Sequence, residues 1–321
     1  MLKIYKSLET GPLQELSLKT LESGAWINIV DPTPYELKVV GNLTEVEPDF
    51  LRSALDDEER SHIDIEDDSV MILTNVPVVR DEGSYDTLPL AIIVTEEYII
   101  TVCLEETPVL SYFNEKSARF FRTFKKTRFL FQILYRSATF YLRYLRQISK
   151  QSDEIESKLR HSMKNREILK LLELQKALTF FNASLRSNGA VLEKLMRLRT
   201  TTSMQPMLKY YEEDEDLLED VIIENKQAIE MAGIYTGILS DTRDAFASVS
   251  SNNLNNVMRF LAVVTIVMSI PTMIFSAYGM NLNQKGMPFA DSPWGFAIII
   301  GLCIVVSMAI ALLFSKKKFF K

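Results

Sequence analysis

Histidine and cysteine are scarce in this chain, whose 321 residues include two of each. Imidazole and thiolate are the ligands that zinc, nickel and other softer cations favour. His62 and His161 both fall outside the long apolar stretches, whereas Cys303 lies inside one and Cys103 lies in a strand-like run. The sequence therefore argues against a metal path lined by histidine or cysteine. A disulfide between cysteines in such different surroundings is not expected, which agrees with a reducing compartment for the soluble part.

Glycine-rich loops and an excess of basic charge are also lacking. With 11 glycines and no phosphate-binding loop, an ATP-driven pump is not expected. The first 254 residues carry 30 basic and 41 acidic side chains, a balance that disfavours nucleic acid as a partner. No combination of nucleophile, base and metal ligands indicates an enzyme. The lysines near Met1 are followed by no apolar segment, so no signal peptide is predicted.

Two long apolar stretches stand out near the end of the chain. Residues 257–278 contain one charge, Arg259, and residues 294–314 contain none. Each matches the ~20 apolar residues that a helix needs to cross a bilayer. A pair of buried core helices is the alternative, but it would need a larger apolar partner than this chain offers. We predict two transmembrane helices in a lipid bilayer.

The distribution of basic residues predicts their orientation. Arg259 precedes most of the first span, whereas the connecting loop, residues 279–293, carries Lys285 against Asp291. A basic tail follows the second span, at Lys316, Lys317, Lys318 and Lys321. Cytoplasmic flanks are enriched in Lys and Arg, so we expect a multi-pass protein of the cell membrane with both termini in the cytoplasm.

The region before the spans contains a strand-rich part followed by a helical part. Runs rich in Ile, Val and Thr predict strands over Trp26–Val30, Val70–Val79, Pro89–Val94 and Tyr98–Cys103. Thr33, Pro34 and Glu36 form a capping box that predicts a helix, and a second helix is predicted around Pro48–Leu55.

Apolar residues recur at helical spacing after Pro108. We predict two long helices with a break near 163–165, and a third that begins near Pro206 and runs unbroken into the first span over roughly 70 residues, or ~100 Å. The predicted order is an α/β domain at 1–108, a helical hairpin at 109–205, a stalk helix at 206–256, spans at 257–278 and 294–314 joined by an external loop at 279–293, and a basic tail at 315–321.

The first span has one face of small and polar side chains, spaced alternately three and four residues apart. This polar face consists of Asn255, Met258, Ala262, Thr265, Ser269, Thr272, Ser276 and Gly279. Small and hydroxylated residues are common where membrane helices pack together, so close packing is one interpretation. A water-filled path is the other. Two spans per chain cannot enclose a pore, so the second interpretation requires an oligomer.

The first span ends in the triplet Gly279, Met280 and Asn281, followed by a short loop, a final span and a lysine-rich tail. Together with the early strand Trp26–Ile29, this arrangement resembles the CorA family of magnesium and divalent metal ion transporters. The resemblance implies an α/β cytoplasmic domain, a funnel of long helices and two transmembrane helices. It also implies a homopentamer whose pore is lined by the first span, which favours the water-filled path.

The chemistry of Mg²⁺ agrees with this expectation, since the ion holds its waters tightly in octahedral geometry. The resemblance makes Gly279, Met280 and Asn281 the selectivity filter, in which Asn281 carbonyls would accept hydrogen bonds from the hydrated ion. We expect Gly279 to let the backbone turn where a Cβ would obstruct it. Met258 and Leu261 would form an apolar constriction that gates by dewetting.

Two acid-rich stretches are candidates for regulation by Mg²⁺. Each could equally be solubilising surface charge. Counting back from the triplet, the resemblance places Asp220 at a regulatory metal site between subunits. Ser53 stands where the family has the partner acid, so Asp56 or Asp57 would have to replace it. The acids are Asp56, Asp57, Glu58, Glu59, Asp64, Glu66, Asp67 and Asp68 in the first stretch, and Glu212–Asp216, Glu219 and Asp220 in the second.

The sequence thus predicts a channel for passive Mg²⁺ influx, with Mg²⁺ as both the transported and the regulatory ion and no organic cofactor. The membrane potential would drive entry, because a divalent cation gains roughly 4.6 kcal/mol at an inside-negative 100 mV. A zinc, cobalt or nickel transporter of the same family is an alternative. A two-span scaffold or receptor without ion flux is an alternative of a different class.

Overall fold

The structure is a computed structural model that describes residues 1–8, 12–66, 68–80, 84–161, 165–198, 207–280, 287–289 and 292–316. Its residues form two compact units, Met1–Arg243 and Asp244–Lys321. Each unit has its own chemistry. The first surrounds a mixed sheet, and the second consists mainly of apolar helix.

A seven-stranded sheet forms the centre of the first unit, in the order β2-β1-β3-β7-β6-β5-β4. Only β3 and β7 pair in parallel, and the other neighbours are antiparallel. The strands are β1 Leu2–Ser7, β2 Leu13–Leu16, β3 Trp26–Val30, β4 His62–Glu66, β5 Ser69–Val79, β6 Tyr85–Thr95 and β7 Ile99–Cys103.

The four predicted strands are confirmed, with β3 matching at both ends and β6 extending four residues earlier than expected. The sequence prediction missed β1, β2 and β4. Strand β4 lies at the edge of the sheet, where charged residues prevent pairing with other chains. Its Asp64 and Glu66, interpreted above as part of an acidic cluster, alternate with Ile63 and Ile65 in this edge strand.

Alternating side chains of the strands fill two cores, one on each face of the sheet. On one face, residues such as Ile27, Leu73 and Ile93 pack against α1 Pro34–Thr44 and α2 Pro48–Ser53. The predicted capping box of α1 is confirmed, since Thr33 N donates to Glu36 Oε2 at 2.8 Å and Glu36 N donates to Thr33 Oγ1 at 3.2 Å.

The opposite face is covered by helices α3 Pro108–Ser111, α4 Lys126–His161, α5 Asn165–Leu198 and the start of α6 Glu212–Tyr278. The predicted segments 1–108, 109–205 and 206–256 therefore all contribute to one core. An apolar sheet face must be covered, and these helices supply the cover.

Helix α6 runs for 67 residues without interruption, as predicted, with Pro271 inside it. It begins at Glu212 rather than near Pro206, which lies outside the described residues. Met207 and Leu208 are instead buried in the core before the helix starts. Asp214 fixes the start, because its carboxylate accepts from Tyr211 N at 3.3 Å.

The second unit holds the last part of α6 and helix α7 Gly295–Lys316. Both contain windows apolar enough to cross a membrane, with mean hydropathies of 2.1 and 3.0, and 6% of each window is buried within the chain. A core helix of a soluble protein would be mostly buried. The two predicted spans therefore correspond to apolar helices whose surfaces are left exposed by the described part of the chain.

Candidate functional site

The predicted polar face is fully exposed in the single chain. Its seven residues from Asn255 to Ser276 lie on α6, and Gly279 lies just beyond the helix end. Met258 of this face is 60% exposed, and Leu261, the other side chain assigned to the constriction, is 52% exposed. No described part of the same chain covers this face.

A different side of α6 is buried. Within the second unit, Val263 of α6 and Cys303 of α7 are buried, at 7% and 2% exposure. Val267, Ile270 and Ile274 are partly buried and continue the stripe of Val263 at helical spacing. At 3.6 residues per turn this stripe lies roughly opposite the polar face. The side of α6 that is buried among the described residues is therefore not the polar face.

The hydroxyl groups of the polar face are oriented by their own helix. Thr265 Oγ1 donates to Leu261 O at 2.8 Å, and Thr272 Oγ1 donates to Met268 O at 3.0 Å. Ser269 Oγ similarly donates to Ile266 O at 2.9 Å. Because each proton is used by the backbone, each oxygen presents lone pairs to its surroundings. The face is therefore a row of hydrogen-bond acceptors, which suits the outward-pointing protons of a cation's hydration shell.

The end of α6 differs in one respect from the sequence expectation. Gly279 N donates to Phe275 O at 2.9 Å, which closes the last turn. The backbone of Gly279 does not have a positive φ, and a Cβ there would meet Phe275 O at 3.4 Å, close to ordinary contact. The expectation that Gly279 is required for a backbone turn is therefore wrong within one chain. Met280 follows with 56% exposure, and Asn281 lies outside the described residues.

The described part of the loop is held against the ends of both spans. Tyr278 Oη donates to Pro288 O at 2.9 Å. Phe289 has a φ of 62°, and its carbonyl oxygen lies 2.1 Å from where a Cβ on Gly295 would be. The close approach of Phe289 O therefore requires glycine at position 295, next to the start of α7. This requirement depends on a contact between residues six apart in a loop, which no sequence pattern reveals.

The candidate regulatory acids are exposed. Asp220 is exposed on α6, and Asp56 and Asp57 are exposed in the turn after α2. Ser53 Oγ donates to Asp49 O at 2.8 Å, so its hydroxyl serves helix α2. Among the described residues, no three His, Cys, Asp or Glu side chains are arranged to hold a metal ion. A site built on these acids would need ligands from another copy of the chain.

Asp214 has a structural role that the sequence analysis missed. It is 3% exposed, and Arg128 Nη1 of α4 lies 3.3 Å from its Oδ1. Its cap on Tyr211 N and this ion pair join the start of α6 to α4. Acidic side chains also favour the positive end of the helix dipole. Part of the second acid-rich stretch therefore anchors α6.

The cysteines and His62 lie away from the polar face. Cys303 is buried on α7, and burial raises the pKa of the Cys103 thiol to about 11. His62 Nε2 lies 3.2 Å from Asp64 Oδ2 at the edge of the sheet. These positions agree with a path lined by oxygen rather than by sulfur or imidazole. The side chain of His161 and residues Lys317, Lys318 and Lys321 of the basic tail lie outside the described part, and α7 ends at Lys316.

Comparison with known proteins places the chain in a family. Residues 22–318 match the model of the family described as CorA-like Mg²⁺ transporter protein. The cobalt/magnesium transport protein CorA of Methanocaldococcus jannaschii is 26% identical over 91% of this chain and 90% of its own length. The magnesium transport protein CorA of Mannheimia succiniciproducens is 23% identical over 95% of each chain.

A solved structure supports the fold. The complete structure of the CorA magnesium transporter from Methanocaldococcus jannaschii superposes with a TM-score of 0.84, covering 99% of this chain and 98% of that one, at 22% identity. The α/β unit, the long helices and the two apolar helices are therefore one known architecture. The family match over nearly the whole chain shows that this protein belongs to the CorA-like Mg²⁺ transporter family.

Proposed function

We propose that this protein is a channel for passive Mg²⁺ influx, with the polar face of α6 lining an aqueous pore between copies of the chain. The observation that carries the proposal is the division of α6 into two sides. Val263 and the residues in line with it are buried or partly buried, while the polar face is left exposed by the described part of the chain. The names of the relatives, which include magnesium and cobalt transport proteins, agree with a divalent cation as the substrate.

The acceptor character of the polar face suits a hydrated ion. Mg²⁺ releases its waters slowly, so a path that required full dehydration would conduct slowly. Hydroxyl oxygens at Thr265, Ser269 and Thr272 can instead accept hydrogen bonds from the waters around the ion. Neutral acceptors attract a divalent ion without holding it as tightly as carboxylates would. In this proposal a ring of Asn281 side chains at the external end selects the hydrated ion, with Gly279 and Met280 completing the filter.

The pore requires several copies around an axis. We propose a homopentamer, the number that the family resemblance implies. The apolar side chains that flank the polar face, such as Met268 at 69% and Met273 at 64% exposure, would meet neighbouring helices or lipid. Met258 and Leu261 would form the apolar constriction toward the cytoplasmic end, in line with the dewetting gate described above.

Direction and regulation complete the proposal. With both termini in the cytoplasm of a cell bounded by its plasma membrane, the membrane potential drives the cation inward. Cytoplasmic Mg²⁺ would close the channel by bridging Asp220 to Asp56 or Asp57 of a neighbouring copy. Such a bridge offsets the repulsion between exposed carboxylates and so favours the closed arrangement.

Mg²⁺ uptake into proteoliposomes tests the proposal. Wild type at low internal Mg²⁺ should conduct, Asn281→Ala should change Mg²⁺ flux, and Thr272→Val should reduce flux by removing one acceptor at nearly constant volume. Ser307→Ala on α7 is the matched control, and its flux should equal that of wild type. Equal flux in wild type and Asn281→Ala would remove the filter assignment. No flux in wild type would favour the scaffold alternative.

Regulation is tested separately in the same vesicles. Raising internal Mg²⁺ should slow uptake in wild type and slow it less in Asp220→Ala. If both respond equally, Asp220 is not part of the regulatory site, while the pore assignment stands.

A further inference from the structure

A small polar chamber lies inside the first unit, where the sheet, α4, α5 and α6 meet. All its lining residues are buried, with exposures between 1% and 6%. They are Thr74 of β5, Leu134, Ser137 and Ala138 of α4, Asn188 and Leu192 of α5, and Val221 and Asn225 of α6. Its volume is about 10 Å³. That is close to the roughly 10–15 Å³ that one water molecule requires.

Two hydroxyl groups in this chamber lack protein partners. Thr74 Oγ1 and Ser137 Oγ are both buried, and among the described residues neither makes a hydrogen bond. Thr74 is 1% and Ser137 is 4% exposed, so bulk solvent does not reach them. Buried polar groups without partners carry a desolvation penalty, and folded proteins rarely leave such groups unpaired.

We propose that the chamber binds one structural water molecule, held by Thr74 Oγ1 and Ser137 Oγ. A buried water usually makes two to four hydrogen bonds, and two hydroxyls can each donate or accept. Asn225 lines the same chamber and adds an amide oxygen as a further acceptor, while its Nδ2 donates to Leu185 O at 3.0 Å. The water would therefore join β5, α4 and α6 by hydrogen bonds that the side chains alone do not make.

The lining favours water over a cation. Every side chain around the chamber is neutral, and none of the lining residues is a carboxylate. Burying a bare ion without opposite charge is costly, whereas a neutral molecule with two hydrogen-bonding sites of each kind matches the hydroxyls and amides. A position for water at this point also has a consequence for α6. A water can exchange hydrogen bonds as helices shift, so α6 would keep its polar connection to the sheet through small displacements.

An experimental structure of the full chain that resolves ordered waters tests the proposal directly. We expect a water peak within about 2.5–3.0 Å of both Thr74 Oγ1 and Ser137 Oγ. The peak should persist in Thr74→Ser, which keeps the hydroxyl, and vanish in Thr74→Val. An empty chamber in wild type would overturn the inference. An anomalous signal at the site in crystals grown with Rb⁺ in place of K⁺ would also overturn the inference, because it would show that the chamber binds a cation.

Thermal unfolding of the full chain gives an independent readout. If the water is bound, Thr74→Val and Ser137→Ala should each lower the midpoint by about 2–4 °C, because each removes one of its partners. If the chamber is dry, each substitution removes an unsatisfied hydroxyl, and the midpoint should rise or stay constant. A rise or no change in both variants would therefore overturn the proposal.

Discussion

Replacement of Asn188 by alanine should be among the most damaging single changes in the first unit. Asn188 is 6% exposed on α5, and its amide makes three hydrogen bonds across to the sheet side of the core. Its Oδ1 accepts from Ser61 Oγ at 2.7 Å and from Asn75 N at 2.9 Å, and its Nδ2 donates to Asn75 O at 2.8 Å. One side chain thus satisfies both backbone groups of a buried strand residue.

The cost of Asn188→Ala follows from what each partner retains. Asn75 O keeps the bond from Tyr141 Oη at 3.0 Å, and Ser61 Oγ keeps the bond from Asn75 Nδ2 at 3.1 Å. Asn75 N loses its acceptor, Asn188 Oδ1, and a buried backbone N–H without a partner costs about 1–3 kcal/mol. With the space left by the amide, the free energy of unfolding should fall by about 2–4 kcal/mol. Each kcal/mol shifts the midpoint by about 2–4 °C, so a fall of roughly 4–16 °C is expected.

Two measurements check this prediction. Thermal unfolding of the full chain gives the midpoint, and hydrogen exchange of a peptide covering 69–79 reports on β5 locally. Ser61→Ala is the control, since it removes the bonds of Ser61 Oγ to Asn188 Oδ1 and from Asn75 Nδ2 but leaves the bonds of Asn188 to the backbone N and O of Asn75 intact. Its effect should be smaller than that of Asn188→Ala, because no backbone group loses its partner. If Asn188→Ala unfolds like Ser61→Ala and leaves exchange in β5 unchanged, the amide is not the link between α5 and the sheet.

Three further predictions concern single positions. Gly24 has a φ of +83°, so Gly24→Ala should lower the free energy of unfolding by about 1–3 kcal/mol in a denaturant titration, and an unchanged titration would contradict the strain. Gly295→Ala should displace Phe289, whose carbonyl oxygen lies 2.1 Å from the new Cβ, and limited proteolysis of 287–295 should accelerate. The hydrogen bond from Thr33 N lowers the pKa of Glu36, so its contribution to stability exists above the ordinary glutamate pKa of about 4.3 and disappears as pH falls below it. The midpoints of wild type and Glu36→Gln should therefore converge at acidic pH, and a constant difference would refute this linkage.

Local sequence signals predicted the elements whose causes are local. The capping box at Thr33 and Glu36 fixed the start of α1, and the β-branched run of Trp26–Val30 gave β3 at both ends. Apolar length identified both membrane-type helices. In each case the structure is determined by residues close together in the sequence or by the apolar character of one segment, and both can be recognised from the sequence alone.

Elements determined by distant contacts were missed or misplaced. Strand β4 carries charges suited to a sheet edge, but only its pairing with β5 shows that it is a strand. The start of α6 depends on Arg128, which is 86 residues away from Asp214. The chamber beside Thr74 is formed by four elements that only the fold brings together. No periodicity or motif in the sequence predicts contacts between such distant elements.

The polar face of α6 could be surrounded by lipid, by a neighbouring helix or by water. In lipid, an uncovered asparagine amide such as that of Asn255 would leave two donors and two acceptors without partners, so lipid is the least favourable surrounding for this face. The threonine and serine hydroxyls satisfy their donors on their own helix, and they gain little from a second helix that would supply acceptors. What they still require is donors. Water, and above all water polarised by a divalent cation, supplies donors at every level of the helix, whereas an apolar neighbouring helix supplies none. The hydrogen-bond direction of these side chains, rather than their small size, is therefore the stronger physical reason to assign this face to an aqueous path.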